Sequence, residues 1–190
     1  YEVYNSAIHL TNKFSTDDSI PIFSVEKYHK SKLVPGAEQM PFQKYLYPIF
    51  GNKLLKIGSS NSIGNFSSQD SVSVFRSCIY KQLNLIAPII CYESIYGDYV
   101  RQFVKNGAQV ICIITNDGWW KDTSGYQQHH MYAKLRAIET RRYIARSANT
   151  GVSSVINPFG EIEQEIGWNK RSVIKSSISL FDNLTFYVKH

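Results

Sequence analysis

The sequence contains no long hydrophobic segment. No apolar run approaches the roughly 18 residues that a membrane span requires, and no signal-peptide pattern opens the chain. The net charge of +6 comes from scattered basic residues, with no basic tract that is interleaved with aromatics. Binding to nucleic acid is therefore disfavoured. A basic surface facing anionic phospholipid fits this charge equally well, and a simple solvated surface is favoured over both.

Cysteine is also scarce. The three cysteines, Cys78, Cys91 and Cys112, form no C-x-x-C pair, which argues against a zinc site and against a disulfide-rich scaffold. Internal repeats are absent as well. The 190 residues are 43% hydrophobic and 19% charged, so we predict one globular domain over residues 1–190.

Strand-like and helix-like segments alternate along the chain and predict an α/β fold with buried central strands. Helical periodicity predicts helices at 94–105 and at about 126–147, the second with an apolar stripe of Met131, Leu135 and Ile138. Gly, Asn and Ser make the segment 36–70 loop-rich. Apolar or alternating runs predict strands at 1–10, 22–29, 71–76, 83–90, 108–115 and on both sides of the turn 157–160.

Cys91 lies where a buried strand is predicted to pass into a helix. The end of a buried strand is rigid, and the start of a helix offers free N–H groups that stabilise a thiolate. The Tyr92 N–H would also face a developing oxyanion. This position suits a nucleophile, whereas the alternative is a cysteine that serves as a small buried hydrophobic side chain. Cys78 and Cys112 fall inside strand patterns, where that structural role is expected.

No histidine is an obvious partner of Cys91 in the sequence. His29 precedes Lys30, while His129 and His130 open the long helix. A Cys–His pair would therefore require the fold to bring one of these histidines to the thiol. Metal binding by His129 together with His130 is disfavoured, because adjacent side chains on a helix point about 100° apart.

Charged residues are concentrated in the segment 28–38, YHKSKLVPGAE, directly after a predicted strand. The simple interpretation is a charged surface loop. Alternatively, Lys30 or Lys32 lies near Cys91 and stabilises both the thiolate and the oxyanion of a tetrahedral intermediate. A carboxylate such as Glu38 would then hold that lysine in place. The sequence pattern alone leaves both interpretations open.

Four motifs between about residues 28 and 160 together resemble the nitrilase, or carbon–nitrogen hydrolase, superfamily: YHKSKLVPGAE, ICYES, TNDGWW and RAIETRRYIARSANTG. The lysine loop and the cysteine motif are most similar to those of its apolipoprotein N-acyltransferase branch. The resemblance implies an α-β-β-α sandwich and a Glu–Lys–Cys triad, in which Cys91 is the nucleophile and Lys30 the catalytic lysine. It further implies a supporting role for Glu38. The other positions that it places around the reacting centre are Tyr92, Glu93 and Asn116.

The first glutamate of the family triad, the general base, has no counterpart here, because Glu2 and Glu26 lack its sequence context. The resemblance therefore implies a fragment of a longer enzyme, truncated at its N-terminus. The upstream helices of that parent would anchor it in the inner membrane, with this soluble domain on the periplasmic side. Trp119 and Trp120 would line an acyl pocket or touch the membrane interface, unless they simply cap the core.

The activity implied by the resemblance is acyl transfer from a phospholipid to the N-terminal amino group of a diacylglyceryl-cysteine lipoprotein. The acyl group would pass through a thioester on Cys91, and no metal or organic cofactor would be required. Two alternatives remain: a soluble amidase that passes the acyl group to water, and a catalytically silent binding fragment. Without the general base, this chain on its own is expected to be inactive.

Overall fold

The computed structural model describes residues 2–13, 22–39, 66–79 and 82–190, together with Phe42, Tyr45 and Pro48. The loop-rich segment predicted over 36–70 lies mostly outside these residues. Within the described part of the chain, no helix combines the length and the apolar composition needed to cross a membrane.

The described residues form two sheets and a group of helices, joined by turns and loops. The strands are β1 (Ser6–Lys13), β2 (Ile22–His29), β3 (Phe75–Ile79), β4 (Gln82–Ile90), β5 (Val110–Thr115), β6 (Tyr143–Ala148), β7 (Ser153–Ile156) and β8 (Ile162–Ile166). The helices are α1 (Gly97–Lys105), α2 (Ser124–Thr140) and the short α3 (Phe186–Lys189). Two 3-10 turns, Cys91–Ile95 and Asp117–Trp120, follow β4 and β5.

The larger sheet has the order β3-β4-β5-β6-β7-β8 in the described residues. Its central strands β4, β5 and β6 are parallel, whereas the outer pairings are antiparallel. Helices α1 and α2 connect the parallel strands, as such pairings require. One face of the central strands packs into the core with the helices, and Ala87, Ile89, Ile111 and Ile113 on that face are almost fully buried. On the opposite face, Ile114 of β5 is 51% exposed.

The hairpin of β1 and β2 forms the smaller, antiparallel sheet and packs against β3 and β4. Tyr28 of β2 is fully buried and meets Phe103 of α1 edge to face, with 5.6 Å between the ring centroids. Tyr28 is the second-last residue of β2, and Lys30 follows two positions later. The packing of Tyr28 therefore places the end of β2 beside the end of β4.

The predicted second helix is too long. It ends at Thr140, and Arg141 takes a left-handed conformation (φ 53°) that ends a helix. Residues 143–148 form strand β6 instead, because they pair in register with β5 on one side and β7 on the other. Pairing with distant strands overrides the helical pattern of the local sequence.

The apolar stripe of α2 is not its buried face. Met131 is 56% exposed, and Leu135 and Ile138 are each 42% exposed. Ala133 and Ala137 are fully buried instead, because their small side chains let the helix approach the sheet closely. Helix α1 begins at Gly97 rather than at residue 94, since a 3-10 turn precedes it. The predicted strand 71–76 begins only at Phe75.

Candidate active site

Cys91 occupies a strained turn at the end of β4. Its φ angle is 52°, the left-handed region that non-glycine residues rarely adopt. Such a conformation costs roughly 1–3 kcal/mol and persists only where the surroundings enforce it. The residue is half-buried and starts the 3-10 turn Cys91–Ile95. The predicted position at a strand exit is confirmed, although a short 3-10 turn separates the strand from helix α1.

Glu93 connects this turn to the loop that follows β2. Its side chain is fully buried, and Oε2 accepts a hydrogen bond from the Ile90 N–H at 2.8 Å. Oε1 accepts from the Tyr28 hydroxyl at 2.6 Å and from the N–H groups of Ser31 and Lys32 at 2.7 and 3.2 Å. Burial raises the pKa of Glu93, and these four donors only partly oppose the rise. The carboxyl group thus crosslinks the two segments that carry Cys91 and Lys30.

Lys30 and Glu38 form an ion pair. The Lys30 side chain is fully buried, and its Nζ donates to Glu38 Oε2 at 2.6 Å. Val34 N–H donates to the same oxygen at 2.8 Å, and Asn5 Nδ2 donates to the other at 2.9 Å. Burial opposes ionisation of Glu38, but these three hydrogen bonds hold its pKa below the ordinary value. The carboxylate therefore fixes the position of the lysine.

One cavity of about 540 Å³ brings several predicted site residues together. Cys91, Glu38, Asn116 and Trp119 all line it, and Lys30 is joined to its wall through Glu38. The remaining lining residues are Asn5, Ala37, Phe66, Ile90, Ile114 and Thr115. A thiol at a strained turn and a carboxylate that holds a buried lysine thus lie at one cavity, and these groups can serve nucleophilic acyl transfer.

Of the other predicted residues, Asn116 and Trp119 line this cavity, whereas Trp120 and Tyr92 are not among its lining residues. Asn116 Oδ1 accepts from the Gly118 N–H at 3.1 Å and so caps the turn that carries the two tryptophans. Trp119 is 68% exposed at the cavity, whereas Trp120 packs against Gly125, where a side chain would collide with the indole ring. The Tyr92 ring is half-buried and meets the ring of Tyr96 edge to face.

A buried charged network, which the sequence pattern did not predict, lies beneath the Cys91 turn. Asp117 accepts from Arg146 Nη2 at 2.7 Å and contacts His129 Nδ1 at 2.8 Å. His129 Nε2 in turn lies 3.1 Å from the carbonyl oxygen of Cys91. Burial alone would raise the pKa of Asp117, but His129 and Arg146 lower it to about 2. All three residues are almost fully buried.

These network residues come from three separate segments, the turn after β5, helix α2 and strand β6. The only sequence signal for them is that the motifs TNDGWW and RAIETRRYIARSANTG contain Asp117 and Arg146. The structure also explains why position 151 of the second motif is a glycine, because a Cβ there would overlap the Asp117 carboxylate. Among the described residues, no group of three or more His, Cys, Asp or Glu side chains is arranged to hold a metal ion.

A strained cysteine that shares a cavity with the carboxylate partner of a buried lysine fits the site that the family resemblance implies. A family model described as carbon–nitrogen hydrolase matches residues 1–182. The chain therefore belongs to the carbon–nitrogen hydrolase family, as its motifs predicted. The yeast protein Nit3 (Saccharomyces cerevisiae), a member of the nitrilase superfamily, matches with a TM-score of 0.53 at 17% identity. This match covers 88% of the chain and 51% of Nit3 and confirms the predicted nitrilase-like fold.

Relatives that are more similar in sequence than Nit3 are named apolipoprotein N-acyltransferases. An apolipoprotein N-acyltransferase of Chlorobaculum tepidum is 35% identical over 173 residues, which are 87% of this chain and 31% of that protein. The apolipoprotein N-acyltransferase of Wigglesworthia glossinidia brevipalpis is 32% identical over 186 residues, which are 98% of this chain and 35% of that protein. The chain thus spans about a third of the length of the curated relatives that it matches.

Proposed function

We propose that this chain is the catalytic part of an apolipoprotein N-acyltransferase. In this proposal, Cys91 takes an acyl group from a phospholipid and passes it to the N-terminal amino group of a diacylglyceryl-cysteine lipoprotein. The observation that carries the proposal is that the strained Cys91 turn and Glu38, the ion-pair partner of the buried Lys30, line one cavity. The names of the relatives support the choice of acyl transfer over hydrolysis.

The first half-reaction forms a thioester. The Cys91 sulfur attacks the ester carbonyl carbon of the phospholipid as its proton passes to a base, and Lys30 with the Tyr92 N–H stabilises the oxyanion. The carbon–oxygen bond then breaks, the leaving oxygen takes up a proton, and lysophospholipid departs. Glu38 is bound to Lys30 and Glu93 to four donors, so neither is free to act as the base. The proposal assigns this role to the glutamate that the family resemblance places upstream of the lysine.

The second half-reaction forms the amide. The amino group of the lipoprotein attacks the thioester carbonyl, the carbon–sulfur bond breaks, and a proton returns to the sulfur. An ester is exchanged for an amide through the more reactive thioester, so the kinetics should be ping-pong. The exposed Trp119 at the cavity offers an apolar surface to the acyl chain, or to the membrane interface from which the substrates arrive.

The test replaces the nucleophile in the full-length protein. Cys91→Ser should abolish acyl transfer from a phospholipid to a lipoprotein peptide and should also abolish the hydroxylamine-sensitive acyl-enzyme seen by mass spectrometry. Cys112→Ser is the matched control, because burial raises the pKa of the Cys112 thiol to about 11 and leaves it a poor nucleophile at neutral pH. An active Cys91→Ser enzyme would contradict the proposal. Release of the acyl group to water, or hydrolysis of simple amides, would indicate an amidase instead.

A further inference from the structure

The backbone carbonyl of Cys91 has two polar neighbours beneath the active-site turn. The Ser94 hydroxyl donates to this oxygen at 2.9 Å, and His129 Nε2 lies 3.1 Å from it. His129 is almost fully buried and belongs to helix α2, which is distant in sequence. The left-handed turn at Cys91 is thus held from below by a side chain that takes no part in the mechanism above.

Both ring nitrogens of His129 have polar partners. Nε2 lies 3.1 Å from the Cys91 carbonyl oxygen and 3.0 Å from Ser94 Oγ, and because a carbonyl oxygen can only accept, the contact with Cys91 is a hydrogen bond in the tautomer that carries its hydrogen on Nε2. Nδ1 lies 2.8 Å from Asp117 Oδ1 and 3.3 Å from Arg146 Nη2. Asp117 in turn accepts from Arg146 at 2.7 Å and from the Thr115 hydroxyl at 3.0 Å. Each member of the chain therefore fixes the orientation of the next.

We propose that His129 is a positioning residue that holds the Cys91 carbonyl and thereby keeps the sulfur directed at the cavity. The inference rests on the proposed role of Cys91 as the nucleophile. A buried ionic network is not in itself a source of stability, since desolvation offsets most of the attraction between its charges. A strained turn, in contrast, needs neighbours that define its geometry. Without the Nε2 donor, Cys91 can relax from the left-handed conformation and carry the sulfur away from the reacting position.

Two amide substitutions of His129 distinguish the contact made by Nε2 from the contact made by Nδ1. The amide nitrogen of Gln in His129→Gln reaches the place of Nε2 and preserves the bond to the Cys91 carbonyl. The amide nitrogen of Asn in His129→Asn reaches the place of Nδ1 and preserves only the bond to Asp117. If His129 acts through Cys91, the Gln variant should be active and the Asn variant impaired, although the Asn variant retains the contact within the charged network.

The first measurement is steady-state acyl transfer by the full-length protein, together with acyl-enzyme formation in single turnovers. We expect His129→Asn to lower kcat by roughly 10- to 100-fold with little change in KM, because misplacement of a reacting atom costs rate rather than binding. His129→Gln should remain within about threefold of the wild type, since its amide still holds the carbonyl. Equal losses in both variants, or no loss in His129→Asn, would overturn the inference.

The second measurement does not depend on the acyl donor. Alkylation of Cys91 by iodoacetamide, followed site by site with mass spectrometry, should slow about three- to tenfold in His129→Asn, because the thiolate loses the donors of the turn. If the wild type transfers no acyl group while His129→Asn slows alkylation, the proposed function fails and the positioning role stands. If Cys91→Ser is inactive while His129→Asn is unaffected, the proposed function stands and the positioning role fails.

His130 provides a matched control. It is the next residue of the same helix, equally buried, and its Nε2 lies 2.8 Å from Ser154 Oγ. His130→Asn removes a comparable hydrogen bond without a direct link to Cys91, so kcat and the alkylation rate should stay within about twofold of the wild type. Should His129→Asn be unfolded at the assay temperature, Ser94→Ala takes its place, because it removes the hydroxyl that donates to the Cys91 carbonyl at 2.9 Å and lies 3.0 Å from His129 Nε2. An unchanged alkylation rate in Ser94→Ala would then overturn the inference.

Discussion

Two buried carboxyl groups support the Cys91 turn, and their partners differ in charge. Glu93 accepts hydrogen bonds only from neutral donors, three backbone N–H groups and one tyrosine hydroxyl. Asp117 contacts a guanidinium group and an imidazole ring. The pKa of Glu93 is accordingly raised by burial, whereas the pKa of Asp117 is lowered to about 2. Neutral donors thus suffice to crosslink chain segments, while a nearby cation is what keeps a buried carboxylate ionised.

The largest expected effect comes from removing the charge of Asp117. Asp117→Asn leaves Arg146 buried without a carboxylate, and breaking such a pair costs about 3–5 kcal/mol of unfolding free energy. Urea denaturation should show this loss as a lower midpoint with an unchanged slope. The double variant Asp117→Asn/Arg146→Met removes the stranded charge as well, and should be more stable than Asp117→Asn alone. If the two substitutions destabilise additively, the charge pairing does not explain the behaviour of Asp117.

Part of this site could be predicted from the sequence, because part of it is local. The buried run 83–90 predicted the strand that presents Cys91, and the segment 28–38 carried both members of the Lys30–Glu38 pair. The Asp117 network was not predictable in this way, since its members come from a turn, a helix and a strand that only the fold brings together. For the same reason, strand β6 was not predicted. Its residues have a helical periodicity, and they form a strand because they pair with β5 and β7.

The second effect, of intermediate size, is the response of the two carboxyl groups to acid. The pKa of Asp117 is about 2 in the folded protein against an ordinary 3.8, so its stabilising contribution is complete above 3.8 and is lost as the pH falls through 2. This shift corresponds to a loss on the order of 2 kcal/mol. The contribution of Glu93 to stability depends on pH in the opposite direction. Its raised pKa makes its contribution complete below the ordinary value of 4.5, and the contribution is lost as the pH rises through the folded-state pKa.

Comparison of the wild type with Asp117→Asn isolates the acid response, because all other titrating groups are common to both proteins. The difference in their unfolding free energies should shrink by roughly 1–2 kcal/mol between about pH 5 and about pH 2.5. A difference that stays constant over this range would mean that Asp117 has an ordinary pKa in the folded protein.

The smallest expected effect concerns a single neutral donor of Glu93. Tyr28→Phe removes the hydroxyl that donates to Oε1 at 2.6 Å, but Oε1 keeps the N–H groups of Ser31 and Lys32. The loss of one such hydrogen bond among several costs about 1 kcal/mol, well below the effect of Asp117→Asn, and the pKa of Glu93 should rise further. Tyr28→Phe also removes the 2.7 Å contact between the hydroxyls of Tyr28 and Tyr99, so Tyr99→Phe is the control: it removes that contact, leaves the four donors of Glu93 in place and should cost less than Tyr28→Phe. If Tyr28→Phe destabilises the protein as much as Asp117→Asn, neutral donors are not interchangeable supports of a buried carboxyl group, and the contrast between Glu93 and Asp117 does not lie in their charged partners.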